Sequence, residues 1–179
     1  TIQAAVDAAA GPATIVVWPG AWDECVVVDG KESLVIQSSR LTRRGVFVCG
    51  GAAGTAVFTV KGSTLSLSGL EVRSNGRMRG LLVRDSTLSL QDCVVAGNRT
   101  ADETGAGMDC RGSSVRLQKS AIVGNTIDRE GASEAAGGGL FFRDCSIEIA
   151  GCTVQANAVH ASDRARGGGI WCEASRMRM

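Results

Sequence analysis

Four stretches of this chain read alike, and their spacing limits what the chain can fold into. Ser63-Thr-Leu-Ser-Leu, Ser86-Thr-Leu-Ser-Leu, Ser114-Val-Arg-Leu-Gln and Ser146-Ile-Glu-Ile-Ala begin 23, 28 and 32 residues apart. A second short apolar segment follows each one and ends on an asparagine: Asn75, Asn98, Asn125 and Asn157. A spacer of variable length then leads to a glycine and a third segment: Gly80-Leu-Leu-Val, Gly107-Met-Asp-Cys, Gly139-Leu-Phe-Phe and Gly169-Ile-Trp-Cys. The segments are short and alternate with period two, which predicts strands and not helices. Three short strands per repeat predict one solenoid coil per repeat, a parallel β-helix. No coil buries its inner face alone. Stacking coils about 4.8 Å apart pairs each strand with its equivalent in the next coil and makes one continuous core.

The pattern extends towards the N-terminus. Val26-Val-Val, Leu34-Val-Ile and Val46-Phe-Val make one coil, Val57-Phe-Thr-Val opens the next, and Ala13-Thr-Ile-Val-Val-Trp-Pro-Gly reads as an entry strand and turn. Ile2, Ala5, Val6 and Ala9 recur at helical spacing, which predicts a short amphipathic helix over the open end of the solenoid. The chain is therefore read as one all-β domain, a cap over 1–12 followed by five to six coils over 13–179. With the glycine-led segment counted as the first strand of a coil, alternation sends Leu81/Val83, Met108/Cys110, Leu140/Phe142 and Ile170/Cys172 inward. The second strands send in Leu65/Leu67, Leu88/Leu90, Val115/Leu117 and Ile147/Ile149. The third send in Val72, Val95, Ile122 and Val154. The four asparagines are expected to stack at a turn, their amides satisfying turn backbone and one another. Asn98-Arg-Thr100 is also a glycosylation sequon, which a stacked asparagine would make poorly accessible.

Composition then excludes several functions. Nineteen Lys and Arg balance 18 Asp and Glu, so bulk charge gives no reason to expect nucleic acid or a membrane surface as partner. No run of about 18 uncharged apolar residues exists to insert into a membrane. The single histidine excludes mechanisms that need two within this chain. Seven cysteines without C-x-x-C spacing argue against a zinc site and read mainly as buried free thiols. Cys93/Cys152 and Cys110/Cys172 are two coils apart, about 9.6 Å, too far to bridge. The chain opens on Thr1 and closes on Ser175-Arg-Met-Arg-Met, which reads as an excerpt of a longer protein.

The run Thr1-Ile-Gln-Ala-Ala-Val-Asp-Ala-Ala, the run Thr14-Ile-Val-Val-Trp-Pro-Gly, and the repeated S-x-L-x-L, Asn and Gly-Gly-Gly-Ile units resemble the pectin-lyase-like right-handed parallel β-helix superfamily. The resemblance covers essentially the whole chain. It implies the fold and an extracellular or cell-surface setting, against which the free cysteines argue. It leaves activity open, because that fold carries lyases, hydrolases, epimerases, adhesins and non-enzymatic modules. Family polygalacturonases carry clustered aspartates with a nearby histidine, but this chain has no Asp-Asp pair, and its His160 falls in a spacer. Family pectate lyases use acidic calcium ligands and an arginine base. Here one aspartate among several arginines is a poor calcium site, so no metal and no cofactor is expected.

The outward row of the first strands is the most informative surface. One column holds Thr59, Leu82, Asp109, Phe141 and Trp171, and its neighbour holds Lys61, Arg84, Arg111, Arg143 and Glu173. Aromatic rings stack on sugars, and guanidinium forks hold carboxylates or sulfates. Arg84, Asp109, Arg111, Phe141, Arg143 and Trp171 are thus the candidate carbohydrate-binding residues, with an acidic polysaccharide as the expected partner. The charged spacers 99–106, 126–138 and 158–168 are expected to wall the groove as loops. Asp109 and Glu173, two coils apart, are the candidates for the carboxyl pair of an inverting hydrolase. Two function classes remain: a polysaccharide-binding or -processing module, and a non-catalytic structural or adhesive segment of a larger surface protein. Open strand edges at the C-terminal coil also predict end-to-end self-association.

Overall fold

The short alternating segments form strands because only stacking on an equivalent segment buries their inner face. In the computed structural model, which describes residues 1–39, 45–49, 54–129, 131 and 134–179, they form three parallel sheets. The first strands are Val26–Asp29, Ala56–Lys61, Arg79–Arg84, Met108–Arg111, Leu140–Arg143 and Ile170–Glu173. The second strands make a seven-stranded sheet that runs from Ala13–Val17 to Arg176–Arg178. The third make a six-stranded sheet from Gly20–Trp22 to Thr153–Gln155. Every strand pairs only with its equivalents one coil away; Leu81, Met108, Leu140 and Ile170, for example, stand in register. The inward residues of the three sheets fuse into one core, in which Leu65, Leu67, Leu81, Leu88, Leu90 and Phe142 are sealed from solvent. Cys172 differs from its expected place. It holds an inward register position but is exposed, because its strand is the outermost of its sheet.

Each corner of the triangular coil is held by side chains that take up the backbone of the coil before. Between first and second strands, Ser63 N–H donates to Ser86 Oγ (3.1 Å), Ser86 N–H to Ser113 Oγ (3.1 Å) and Cys145 N–H to Ser175 Oγ (3.0 Å). Between second and third strands, Cys93 N–H donates to Ser120 Oγ (3.1 Å). After the third strand, Asn98 Nδ2 donates to Asn125 Oδ1 (2.8 Å) and Asn125 Nδ2 to Asn157 Oδ1 (2.9 Å). The same amides reach the carbonyls of Val72 and Val95. Asn75 stands outside this stack and is exposed. Ser74 takes its place, its N–H donating to Asn98 Oδ1 (2.8 Å). Asn98 itself is fully buried, so its sequon offers no room for a glycan.

The spacers are where expectation and structure part. They carry strands where only loops were expected. Arg99–Thr100, Thr126–Arg129 and Ala158–Ala161 stack as a three-stranded sheet, and Glu134–Ala136 pairs with Arg164–Arg166. Ala106, Ile127 and Ala135 form a small core of their own, against which Val159 and Ala161 pack. This side lobe stands against the outward face of the first-strand sheet. His160 is exposed on one of its strands, opposite Asp128. At the N-terminus, the helix Ile2–Ala8 is capped by Thr1 Oγ1 and buries Ile2 and Val6 on the main core. Glu24 accepts the free N–H groups of Ile2 and Gln3, as an unpaired helix start requires. Cys93, Cys110, Cys145, Cys152 and Cys172 are free thiols, whereas Cys25 is disulfide-bonded. Burial pushes Cys93 up to about 11, so it stays protonated at neutral pH.

Candidate functional site

The two outward columns form in the expected register. Thr59, Leu82, Asp109, Phe141 and Trp171 align, and beside them Lys61, Arg84, Arg111, Arg143 and Glu173. What lies over them was not legible from alternation. Gly105, Gly137 and Gly167 bring the side-lobe segments back directly above Asp109, Phe141 and Trp171. A Cβ on these glycines would stand 2.7 Å from Asp109 Cβ, 2.9 Å from Phe141 Cβ and 3.0 Å from Trp171 Cβ. All three have positive φ, between 52° and 71°, where glycine is favoured. The lobe therefore covers the first column from Asp109 to Trp171 and leaves the second at its edge.

This roof changes the candidate residues. Phe141 is only 1% exposed, with the Arg111 and Arg143 guanidinium carbons 5.4 and 5.5 Å from its ring centre. It supports two arginines from below and presents no open face for a sugar to stack on. Trp171 is half-buried; Arg166 lies over its ring and its indole N–H donates to Glu173 Oε1 at 3.1 Å. Asp109 is sealed from solvent. It accepts from Arg79 Nη1 (2.6 Å), Arg84 Nη1 (2.9 Å), Arg111 Nε (3.2 Å) and Thr104 Oγ1 (2.6 Å). Burial alone would raise its pKa, but the Thr104 and Arg84 hydrogen bonds and the Arg84 and Arg79 charges outweigh it and hold the carboxyl below the ordinary range. Glu173 accepts from Arg143 Nε (2.6 Å), and this bond, with that from Trp171, lowers its pKa too. An inverting hydrolase needs one carboxyl kept protonated as the acid. Both members of the candidate pair are instead held ionised.

Asp109 thus acts as a fixed anion that organises arginines. Arg84, Arg111 and Arg143 keep 27%, 37% and 43% of their side chains exposed, one coil apart along the axis. Between this rail and the lobe runs a cleft. Its first part, about 410 Å³, includes Arg79, Arg84, Arg111, Asp102, Glu103 and Arg129 in its lining. Its second, about 280 Å³, lies over Phe141 and Arg143 and reaches Glu134 and Glu173. Sequence reasoning passed over Arg79, and it placed Asp102, Glu103, Thr104 and Arg129 in the groove's wall without giving them a role. A signal existed for Arg79. It stands beside Ala56 in the register, and the neighbouring coil has Ala106 ahead of its glycine, so it is the one charge among small residues.

No protein-family model and no curated protein matches the chain. Among solved structures, a crystal structure of a pectin methylesterase variant in complex with hexasaccharide IV is similar at TM-score 0.50 and 14% identity, covering 84% of this chain. A second crystal structure, of pectin methylesterase in complex with hexasaccharide VII, is similar at TM-score 0.48 and 14% identity. The chain spans 61% of the length of either. At this identity the likeness concerns fold alone. The chain adopts a right-handed parallel β-helix fold.

Proposed function

We propose that this chain is a carbohydrate-interacting β-helix module that holds an acidic polysaccharide in the cleft between the first-strand sheet and the side lobe. The observation that carries this reading is the arginine rail. Arg84, Arg111 and Arg143 stand in register at successive coils, partly exposed and braced from beneath by Asp109 and Phe141. A chain of anionic sugars running along the axis meets a cation at each coil, and a braced guanidinium loses little entropy on binding. Trp171 offers the remaining ring edge at the far end. That a pectin methylesterase of like fold holds a hexasaccharide agrees with a saccharide ligand. The reading is confined to binding, because the lowered pKa values of Asp109 and Glu173 leave neither as the protonated acid of an inverting hydrolase.

Titration of the protein with oligogalacturonides by calorimetry, beside a neutral oligosaccharide, tests this. The wild type is expected to bind the acidic oligomer alone. The Arg84→Gln/Arg143→Gln variant is expected to lose at least tenfold in affinity, about one braced charge-assisted contact. Absence of acidic-oligomer binding would overturn the reading. It would favour the second one, a structural or adhesive segment, which has its own observation: Asp109 and Glu173 already neutralise rail arginines within the molecule.

A further inference from the structure

The segment 101–103 places two consecutive acids over the cleft, and both rest on arginines that line it. Asp102 accepts from Arg79 Nη2, and Glu103 pairs with Arg129 Nη1 at 2.7 Å. The two partners are unlike. The acids are outside the packed body, with side chains 55% and 70% exposed, while the Arg79 side chain is 7% exposed. Arg79 is also incompletely satisfied, since its Nε is buried and has no hydrogen-bond partner. Burying a guanidinium costs heavily unless it is paired and bonded. Asp109 takes one of its nitrogens at 2.6 Å. What completes Arg79 on the solvent side is an exposed carboxylate from an irregular segment, in the position an anionic ligand would occupy.

We propose that Asp102 and Glu103 are built-in competitors that occupy Arg79 and Arg129 until a carboxylate or sulfate group of an acidic saccharide displaces them. They thereby set the affinity and charge selectivity of the cleft. The inference rests on the binding reading above and adds its regulation. With the acids seated, Arg79 is covered and the charge of Arg129 is answered by Glu103, so Arg84 and Arg111 are the arginines left to an incoming anion. With them displaced, four arginines face the ligand across one cleft. A neutral sugar gains nothing from the exchange, because it cannot replace the charge that it removes.

The test uses Asp102→Asn/Glu103→Gln, which keeps shape and removes both charges. Wild type and variant are titrated with an oligogalacturonide, a sulfated oligosaccharide and a neutral one. The variant is expected to bind one of the anionic probes on the order of tenfold more tightly, as loss of two competing charge-assisted contacts implies; which probe gains distinguishes carboxylate from sulfate. Neutral-probe binding should stay unchanged. Equal affinities for every anionic probe that the wild type binds overturn the competitor and leave the binding module standing. Binding of no anionic probe by either protein overturns both. An equal gain for the neutral probe overturns the charge mechanism and shows that the segment merely blocks the cleft.

Discussion

The main solenoid and the side lobe follow the same stacking rule with different materials. In the solenoid, each coil sends large apolar residues inward from three sheets, and the core is continuous from Val26 to Ile149. In the lobe, the apolar cluster is only Ala106, Ile127 and Ala135, and ion pairs such as Arg166–Glu134 and Arg129–Glu103 lie on its surface. The solenoid is held by apolar area, at roughly 25 cal/mol per Å² buried. The lobe has little such area and depends on backbone pairing to the coil below and on glycines that admit close approach. A thin lobe on a stiff body is suited to line a cleft, because it is placed by the body's register while remaining the more easily opened of the two.

The largest expected effect lies in the solenoid. Phe142→Ala should destabilise by about 4 kcal/mol, the range for emptying a sealed aromatic site, whereas Ile127→Ala in the lobe should cost about 2 kcal/mol, the low end for its type. Urea unfolding measures both; equal costs would show that lobe and body unfold as one packed unit and break the comparison. Next comes the joint between them. Asp109→Asn should cost about 3 kcal/mol, because three arginines lose a buried counter-charge. Its pH signature is specific. The folded pKa lies below the ordinary value, so Asp109 contributes stability that is present above pH of about 3.9 and is lost as pH falls towards the folded pKa. Wild type should therefore lose more stability than Asp109→Asn when acidified through that window, and parallel acid curves would refute the assignment. The smallest effect sharpens the contrast from the lobe side. Arg166→Ala removes an exposed ion pair and a ring contact and should shift stability by less than about 1 kcal/mol, with hydrogen exchange rising only in Glu134–Ala136 and its partner strand.

Much of the solenoid was legible because its signal is local. Leu88 and Leu90, or Val115 and Leu117, alternate with polar residues over five positions, and serines recur at the corner before them. The same rule placed Asp109 between Leu82 and Phe141 in one outward column. It failed on what that column faces. Alternation says which side of a strand a residue takes, and it equates the outer side with solvent. Phe141 takes the outer side and is nevertheless buried, because Gly137 brings the lobe down on it. The lobe strands escaped notice for a physical reason: Thr126–Arg129 and Glu134–Ala136 bury alanines and a single isoleucine, so hydrophobic periodicity had almost nothing to register. Asn75 misled for the opposite reason, since it matches the repeat in letters while Ser74 takes up the bond to Asn98.

By itself, the sequence determined that this chain stacks coils, which segments pair and which residues enter the core. Period-two burial and repeat length are properties that each coil carries within its own residues. Only the tertiary structure decided the character of the site. Arg79 and Asp109 lie 30 residues apart, Arg84 comes from the coil before and Thr104 from the lobe, and the conversion of Asp109 from a candidate acid into a fixed anion depends on all of them at once. Electrostatics and cover are set by neighbours from other coils, and that information exists in the chain only once the coils have stacked.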